Sequence, residues 1–276
     1  MFQHIDGIPF FGAALTGLFL LVLIKACVPK VSPVRVIRGL VREHSLSPTF
    51  LFYVLMLLGI IFLDILETRF ADVITQQAPR DYTGLVHQIE GSATALFQIV
   101  NFQWLTLVLS LVYLYVFPIM GFVCVYGTFY GGERVIARKL FWATIFNYVL
   151  ILPFYILVPV AERWTVGDGE VALLMNRISP QLLEGLRPLS GLNNGFPAFH
   201  TSLALSYALI ISQSGNRRLR LTMQVLAGLV CYSTLYLGIH WVLDALAGVA
   251  FAGMCSLLAT WAVENFKLEL HLARTR

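Results

Sequence analysis

Long apolar stretches alternate with short polar segments along almost the whole chain. A helix crosses the hydrocarbon core of a bilayer with about 20 consecutive, mostly apolar residues. Seven stretches approach that length, at residues 9–28, 49–66, 102–128, 139–161, 198–213, 219–238 and 240–262. The pattern therefore predicts an all-α bundle of about seven transmembrane helices, with residues 1–276 forming a single transmembrane domain.

Composition and charge favour the same architecture. Apolar residues make up 58% of the chain and charged residues only 12%, whereas a soluble domain carries about 25% charged residues. With the N-terminus outside and the C-terminus inside, 14 of the 19 Lys and Arg residues fall in inner segments, as the positive-inside tendency favours. The five left on the outer side are Arg69, Arg80, Arg163, Arg177 and Arg187. The net charge of +4 thus reflects membrane topology, and we expect no nucleic-acid partner.

Two outer loops are long, at residues 67–101 and 162–197. The first contains an amphipathic stretch that we expect to lie in the membrane interface, and Pro118 is predicted to kink the span that follows it. The second predicts a short helix near residues 169–177 and leads directly to His200. The first span lacks the basic residues that precede a cleaved signal sequence, so we expect a retained helix.

Several aromatic and sulfur-containing residues have simple structural interpretations. Tyr236 and Trp241 are predicted to be anchors at the membrane interface. The cysteines occur singly, without the paired spacing of a disulfide framework or a zinc site, and we expect them to be packing residues. They are Cys27, Cys124, Cys231 and Cys255.

Two titratable groups interrupt the last apolar stretch. His240 and Asp244 are four residues apart, so on one helix they would share a face, where a carboxylate orients an imidazole. An ionisable residue within a membrane span is costly and by default indicates a functional site. Packing is the alternative explanation for either group alone.

A second histidine, His200, begins the fifth predicted span. This span and the one that contains Asp244 both run from outside to inside, so both N-termini lie at the outer surface. Free amides and the helix dipole make such ends suitable for a phosphate. Two histidines and an aspartate there fit double displacement: one imidazole attacks phosphorus, while the other protonates the leaving oxygen and then activates water or an alcohol.

These stretches resemble a known family. FPAFH, residues 196–200, resembles the second signature of the type-2 phosphatidic acid phosphatase superfamily, which is usually Pro-Ser-x-His. STLYLGIHWVLDALAG, residues 233–248, resembles the third signature, with His-x-x-x-Asp followed by small residues. The resemblance covers about residues 187–250, beneath the outer loop 162–197, and is closest to the inositol phosphorylceramide synthase branch.

The resemblance implies a multi-pass helix bundle whose active site faces the extracytoplasmic side. It implies that His240 is the nucleophile, Asp244 its orienting partner and His200 the general acid/base. The substrate would be a membrane lipid phosphate, with no cofactor and no metal. Neither the donor lipid, the acceptor nor the oligomeric state follows from the resemblance.

The sequence departs from the family pattern at three places. Ala198 replaces the serine that precedes the second-signature histidine, and Thr234 occupies the position of the third-signature arginine. The first signature, Lys-x6-Arg-Pro, is retained only in its last two residues, because Pro180 occupies the lysine position. Phosphate charge must then rest on few cations, and the resemblance makes Arg187 the first choice and Arg177 the second.

Three function classes follow from these residues. The first is lipid phosphate chemistry, either hydrolysis by a lipid phosphatase or transfer of a phospho-headgroup, with inositolphosphotransfer as a specific form. The second is a metal-dependent membrane hydrolase, since two histidines and a carboxylate also ligate zinc or iron. The third is a non-catalytic lipid-binding or transport protein in which His240 and Asp244 relay protons.

Overall fold

The computed structural model describes residues 8–29, 81–178 and 193–265. Within these ranges the chain forms helices and contains no strand, apart from one isolated bridge between Val160 and Asn194. The helices are α1 Ile8–Cys27, α2 Thr83–Glu90, α3 Gln103–Leu111, α4 Phe117–Tyr130, α5 Arg134–Leu157, α6 Phe199–Ile211, α7 Arg217–Tyr236 and α8 Val242–Asn265. Shorter 3-10 turns cover Ala93–Gln98, Arg163–Val166 and Leu174–Arg177.

Six of the predicted apolar stretches correspond to described helices, all except α2, and their ends differ from the helix ends by at most five residues. Helical stretches long and apolar enough to cross a membrane are Gln103–Val125, Arg134–Leu157 and Val242–Asn265 in the described ranges. Two shorter apolar helices are Ala14–Cys27 and Phe199–Ile211. An all-helical membrane protein is therefore confirmed. The count of seven spans and the orientation of the termini stay predictions, and the predicted span 49–66 lies outside the described residues.

Helix α6 occupies the centre of the bundle, where it packs against α4, α5, α7 and α8. Nine of its 13 residues are buried, as expected for a helix that is apolar on all sides. Small residues allow close packing: a Cβ at Gly248 of α8 would lie 2.7 Å from the Ala198 carbonyl oxygen. The first turns of α6 and α8 therefore lie side by side.

At the opposite end of α6, a polar contact joins the residue before α5 to the loop before α7. Glu133 precedes α5, and its carboxylate accepts hydrogen bonds from the Gly215 amide and the Ser214 hydroxyl, both at 2.6 Å. The next residue, Asn216, caps α7 by accepting from the Arg218 amide at 3.1 Å. Close packing thus positions the start of α6, and polar contacts hold the loop after its end.

The span from α3 to α4 is irregular at its centre, where Val112–Val116 form a π turn. The Phe117 amide donates to the Val112 carbonyl, five residues back, and Pro118 has no amide hydrogen to offer. The irregularity predicted at Pro118 therefore takes the form of a π turn immediately before it.

Three sequence predictions need correction. Tyr236 and Trp241 are fully buried and are not interfacial anchors. Burial is possible because the Tyr236 hydroxyl lies 3.0 Å from Thr106 Oγ1, and Trp241 Nε1 donates to the Ala161 carbonyl at 2.9 Å, so each polar atom has an internal partner. The helix predicted near 169–177 is only the turn Leu174–Arg177, because the preceding segment contains glycines with positive φ.

Candidate active site

His240 lies in the turn between α7 and α8 rather than within a helix. The Thr234 carbonyl accepts hydrogen bonds from the Ile239 and His240 amides, each at 3.1 Å. Gly238 has a φ of +80°, and a Cβ there would lie 2.6 Å from the Ala172 carbonyl oxygen, so only glycine fits. The expectation that His240 and Asp244 share one helical face is therefore wrong, because α8 begins at Val242.

The two side chains nevertheless meet. His240 Nδ1 lies 3.0 Å from the Gly195 carbonyl oxygen and 3.5 Å from Asp244 Oδ2. A carbonyl oxygen only accepts hydrogen bonds, so Nδ1 carries the proton and donates it, which leaves the lone pair of the neutral imidazole on Nε2. The arrangement fixes both the tautomer and the orientation of the ring.

Asp244 is held at the first turn of α8 and is fully buried. Its Oδ2 accepts from the Trp241 amide at 3.0 Å, which is the backward contact that an acidic residue at the third helical position makes in a capping box. Its own backbone carbonyl accepts from the Ala198 amide at 3.0 Å. The same residue therefore joins the start of α8 to the start of α6.

Gly195 reaches His240 because a second segment holds it in place. Its amide donates to the Val160 carbonyl at 2.8 Å, and the Val160 amide donates to the Asn193 carbonyl at 3.1 Å. A Cβ at Gly195 would lie 2.7 Å from the Val160 oxygen and 3.3 Å from Asp244 Oδ2. Glycine is thus required where the chain passes between these two oxygens.

His200 lies in the first turn of α6, and its ring centroid is 6.2 Å from that of His240. Its ring stacks on Tyr113 at 4.4 Å, with 23° between the planes, and lies 4.5 Å from Phe117. Among the described residues, the nitrogens of the His200 ring have no hydrogen-bond partner. The structure thus brings together all three side chains that the sequence predicted to be catalytic.

The two helix N-termini that the sequence predicts to receive phosphate differ from each other. At α8, the Leu243 amide donates to Glu90 Oε2 at 2.9 Å, and Asp244 takes the Trp241 amide. The protein's own carboxylates therefore occupy two amides at the α8 terminus, and its role in phosphate binding stays a prediction. The α6 terminus has no side-chain cap, and its free amides suit an anion.

Of the two predicted phosphate-binding arginines, the structure describes only Arg177. Arg187 is outside the described residues. Arg177 is exposed and its Nη1 donates to Asn101 Oδ1 at 2.9 Å. Its proposed role stays a prediction.

Arg163, which we did not select from the sequence, is fully buried beside the His240 turn. Its amide donates to the Ile239 carbonyl at 3.1 Å, and its guanidinium carbon lies 4.7 Å from the centroid of a Trp241 ring. In the sequence, the position of Arg163 just beyond the apolar run of α5 is the signal that could have indicated a functional arginine. The contact with Trp241 was not visible there.

Two carboxylates lie against the guanidinium of Arg163, but both contact the same nitrogen. Its Nη2 lies 2.8 Å from Asp168 Oδ2 and 3.1 Å from Glu170 Oε2, and the hydrogen bond from Arg163 holds the pKa of the Asp168 carboxyl below its usual value. Within the described part of the chain, Nε and Nη1 have no hydrogen-bond partner. Buried donors without partners are costly, and a phosphate oxygen would satisfy them.

Comparison with known proteins identifies the family of the chain. The model of the PAP2_3 family, described as PAP2 superfamily, matches residues 85–258. The chain belongs to the PAP2 superfamily. The PAP2 match includes both histidines, Asp244 and Arg163. The crystal structure of Aquifex aeolicus LpxE is similar at a TM-score of 0.47 and 18% identity, covering 62% of this chain and 94% of that chain. No curated protein matches the chain.

Proposed function

We propose that this PAP2 protein transfers a phosphoryl group from a lipid phosphate through a phosphohistidine on His240. The observation that carries the proposal is the contact of His240 Nδ1 with Gly195 and Asp244. Because both partners are acceptors, the free lone pair lies on Nε2, which is the nucleophilic nitrogen. The membership in the PAP2 superfamily supports a lipid phosphatase as the general activity.

The reaction has two steps. In the first, His240 Nε2 bonds to phosphorus, the bond from phosphorus to the lipid oxygen breaks, and His200 gives that oxygen a proton. In the second, His200 takes a proton from the acceptor, the acceptor oxygen bonds to phosphorus, and the P–N bond breaks to restore His240. Asp244 stabilises the positive charge on the imidazole while the P–N bond exists.

Two features supply charge for the phosphate. The unpartnered nitrogens of Arg163 offer buried donors, and the uncapped α6 terminus offers amides beside His200. Arg163 thus adds a buried cation to the two that the sequence predicted, Arg187 and Arg177. Ala198 contributes only its backbone, since it has no hydroxyl.

The site lies at the end of α6 where the helix begins, which we assign to the extracytoplasmic side of a seven-span bundle. The lipid tail then enters sideways from the bilayer. Cysteine substitution tests this orientation: Gln88→Cys should react with a membrane-impermeant maleimide added to intact cells, and Arg218→Cys should react only after lysis. The reverse pattern would move the site to the inner side.

Water and a lipid alcohol are both acceptors compatible with this chemistry. The FPAFH motif supports a test of inositolphosphotransfer to a ceramide-like alcohol as the specific alternative. A metal-dependent hydrolase and a proton-relaying transporter use the same three side chains differently. The first would depend on a bound metal, and the second would move lipid without consuming a phosphate ester.

Product analysis in reconstituted vesicles separates these possibilities. Phosphatidic acid, a polyprenyl phosphate and phosphatidylinositol serve as donors, each with and without ceramide, for the parent and His240→Ala. We expect His240-dependent, chelator-insensitive release of phosphate or of the dephosphorylated lipid. A product formed only with ceramide identifies a transferase, whereas unchanged turnover in His240→Ala or its loss on chelation contradicts the proposal.

A further inference from the structure

The backbone on both sides of the His240 turn forms hydrogen bonds with one segment of the predicted outer surface, Thr83–Gln98, which we call the clamp segment. Before the turn, Gln98 Nε2 donates to the Tyr236 carbonyl at 2.9 Å. After the turn, Glu90 Oε2 accepts from the Leu243 amide at 2.9 Å. The two contacts therefore enclose residues 237–242, which include His240.

The contact from Glu90 complements the one from Asp244, which accepts only the Trp241 amide and leaves the amides of the first turn of α8 without an acceptor from the N-cap residue. The residue before the helix is Trp241, whose side chain has no oxygen to accept the amide of the second or third helical residue. Glu90 provides that acceptor from 153 residues away. The buried hydroxyl of Thr94 donates to the other oxygen of Glu90, so both carboxylate oxygens are engaged.

Gln98 uses both ends of its amide. Its Nε2 also donates to the Ala172 carbonyl at 2.8 Å, and its Oε1 accepts from the Ala172 amide at 3.0 Å. A Cβ at Gly238 would lie 2.8 Å from the same Nε2. Gln98 thus joins the outer loop, the end of α7 and the turn into one unit.

We propose that Glu90 and Gln98 are positioning residues that hold the His240 turn in its reacting geometry, an inference that rests on the proposed function. Neither side chain contacts the imidazole, so both act through the backbone on either side of it. A nucleophile must be aligned closely with phosphorus, and small misplacement slows the reaction strongly.

The test compares Glu90→Ala, Glu90→Gln and Gln98→Ala with two controls. Gln88→Ala changes an exposed residue of the same helix. Glu133→Ala removes a carboxylate that also accepts from a backbone amide, at the opposite end of the bundle. Steady-state kinetics use a short-chain lipid phosphate, and hydrogen exchange reports on the amides of residues 237–245.

We expect Glu90→Ala and Gln98→Ala to lower kcat on the order of tenfold, because each loses contacts that align the turn with the substrate. KM should change less than about twofold, because neither residue touches the substrate. Glu90→Gln keeps an acceptor oxygen and should recover at least about half of the parent kcat. Exchange should increase in Glu90→Ala and Gln98→Ala and stay at the parent level in both controls.

The outcomes separate this inference from the proposed function. If His240→Ala is inactive but the clamp variants keep the parent kcat, the positioning role is wrong and the function stands. An equal fall in kcat for Glu133→Ala would assign the effect to general stability and overturn the role. Unchanged exchange in Glu90→Ala overturns it even if the parent consumes no lipid phosphate, since exchange does not depend on turnover.

Discussion

The two histidines of the site are held in opposite ways. His240 is fixed by hydrogen bonds: its amide to Thr234, its ring to Gly195 and Asp244. His200 is held by ring stacking on Tyr113 and Phe117, and its nitrogens have no hydrogen-bond partner among the described residues. Hydrogen bonds set direction and tautomer, whereas stacking sets only the plane of a ring. The contrast fits a nucleophile that always points one way and an acid/base that must change partners between steps.

The largest expected effect tests this division of roles directly. With an aryl phosphate, whose leaving group departs without an acid, His200→Ala should still form a phosphoenzyme, because His240 is intact. His240→Ala should form none. Trapping acid-labile, base-stable label from a phosphorus-labelled donor provides the measurement. Label on His240→Ala would show that His240 is not the nucleophile and would exchange the roles assigned to His240 and His200.

The second prediction concerns the charge beside His240. Asp244→Asn keeps the shape of the side chain, but it removes the charge that stabilises the imidazolium. Its amide group also presents a donor to Nδ1 if the side chain is turned that way. Because the equivalent change in a serine-protease triad costs about 10⁴-fold, we expect at least about a 10²-fold fall in kcat. The protein should still elute as the parent does in size-exclusion chromatography, and turnover within a factor of two would contradict the role of Asp244.

A third prediction concerns Arg163, which we propose to bind the substrate phosphate beside the two histidines. Arg163→Lys keeps a positive charge but loses the planar stack on Trp241 and the two unpartnered nitrogens. We expect kcat/KM to fall at least about tenfold, the usual loss for a charged hydrogen bond, and inhibition by inorganic phosphate to weaken. Arg177→Lys provides the matched control, because Arg177 is exposed. Equal effects at the two positions would contradict a specific role of Arg163 in phosphate binding.

The smallest expected effect is a pH-dependent change in stability. Arg163 lowers the pKa of Asp168 in the folded protein, so the stabilisation is present above the unfolded pKa of about 3.9 and is lost as the pH falls through the folded value. Asp168→Asn should therefore lower Tm at pH 7 by no more than about 3 °C. Thermal unfolding in detergent at pH 7 and below pH 3 checks this, and the two proteins should converge at the lower pH.

The sequence predicted what depends on local pattern. Apolar runs marked the described helices, and the motifs marked His200, His240 and Asp244, because hydrophobic period and short spacings are local properties. It missed what depends on contacts between distant segments. Glu90 caps a helix 153 residues away, and Arg163 is buried because Trp241 lies against it. The same packing buries Trp241, whose aromatic character alone indicated the membrane interface.

The π turn Val112–Val116 gives the apolar span Gln103–Val125 one residue more than a regular helix of the same length would have. A π turn is an α-helix with one residue inserted, and each residue rotates an α-helix by about 100°. Deleting Leu114 would let the span close into a regular helix while α3 and α4 keep their packing. Tyr113 and Phe117, the two rings against His200, lie on either side of Leu114, so the deletion would change the spacing between them. A single deletion could thus leave folding intact and alter only the environment of the acid/base.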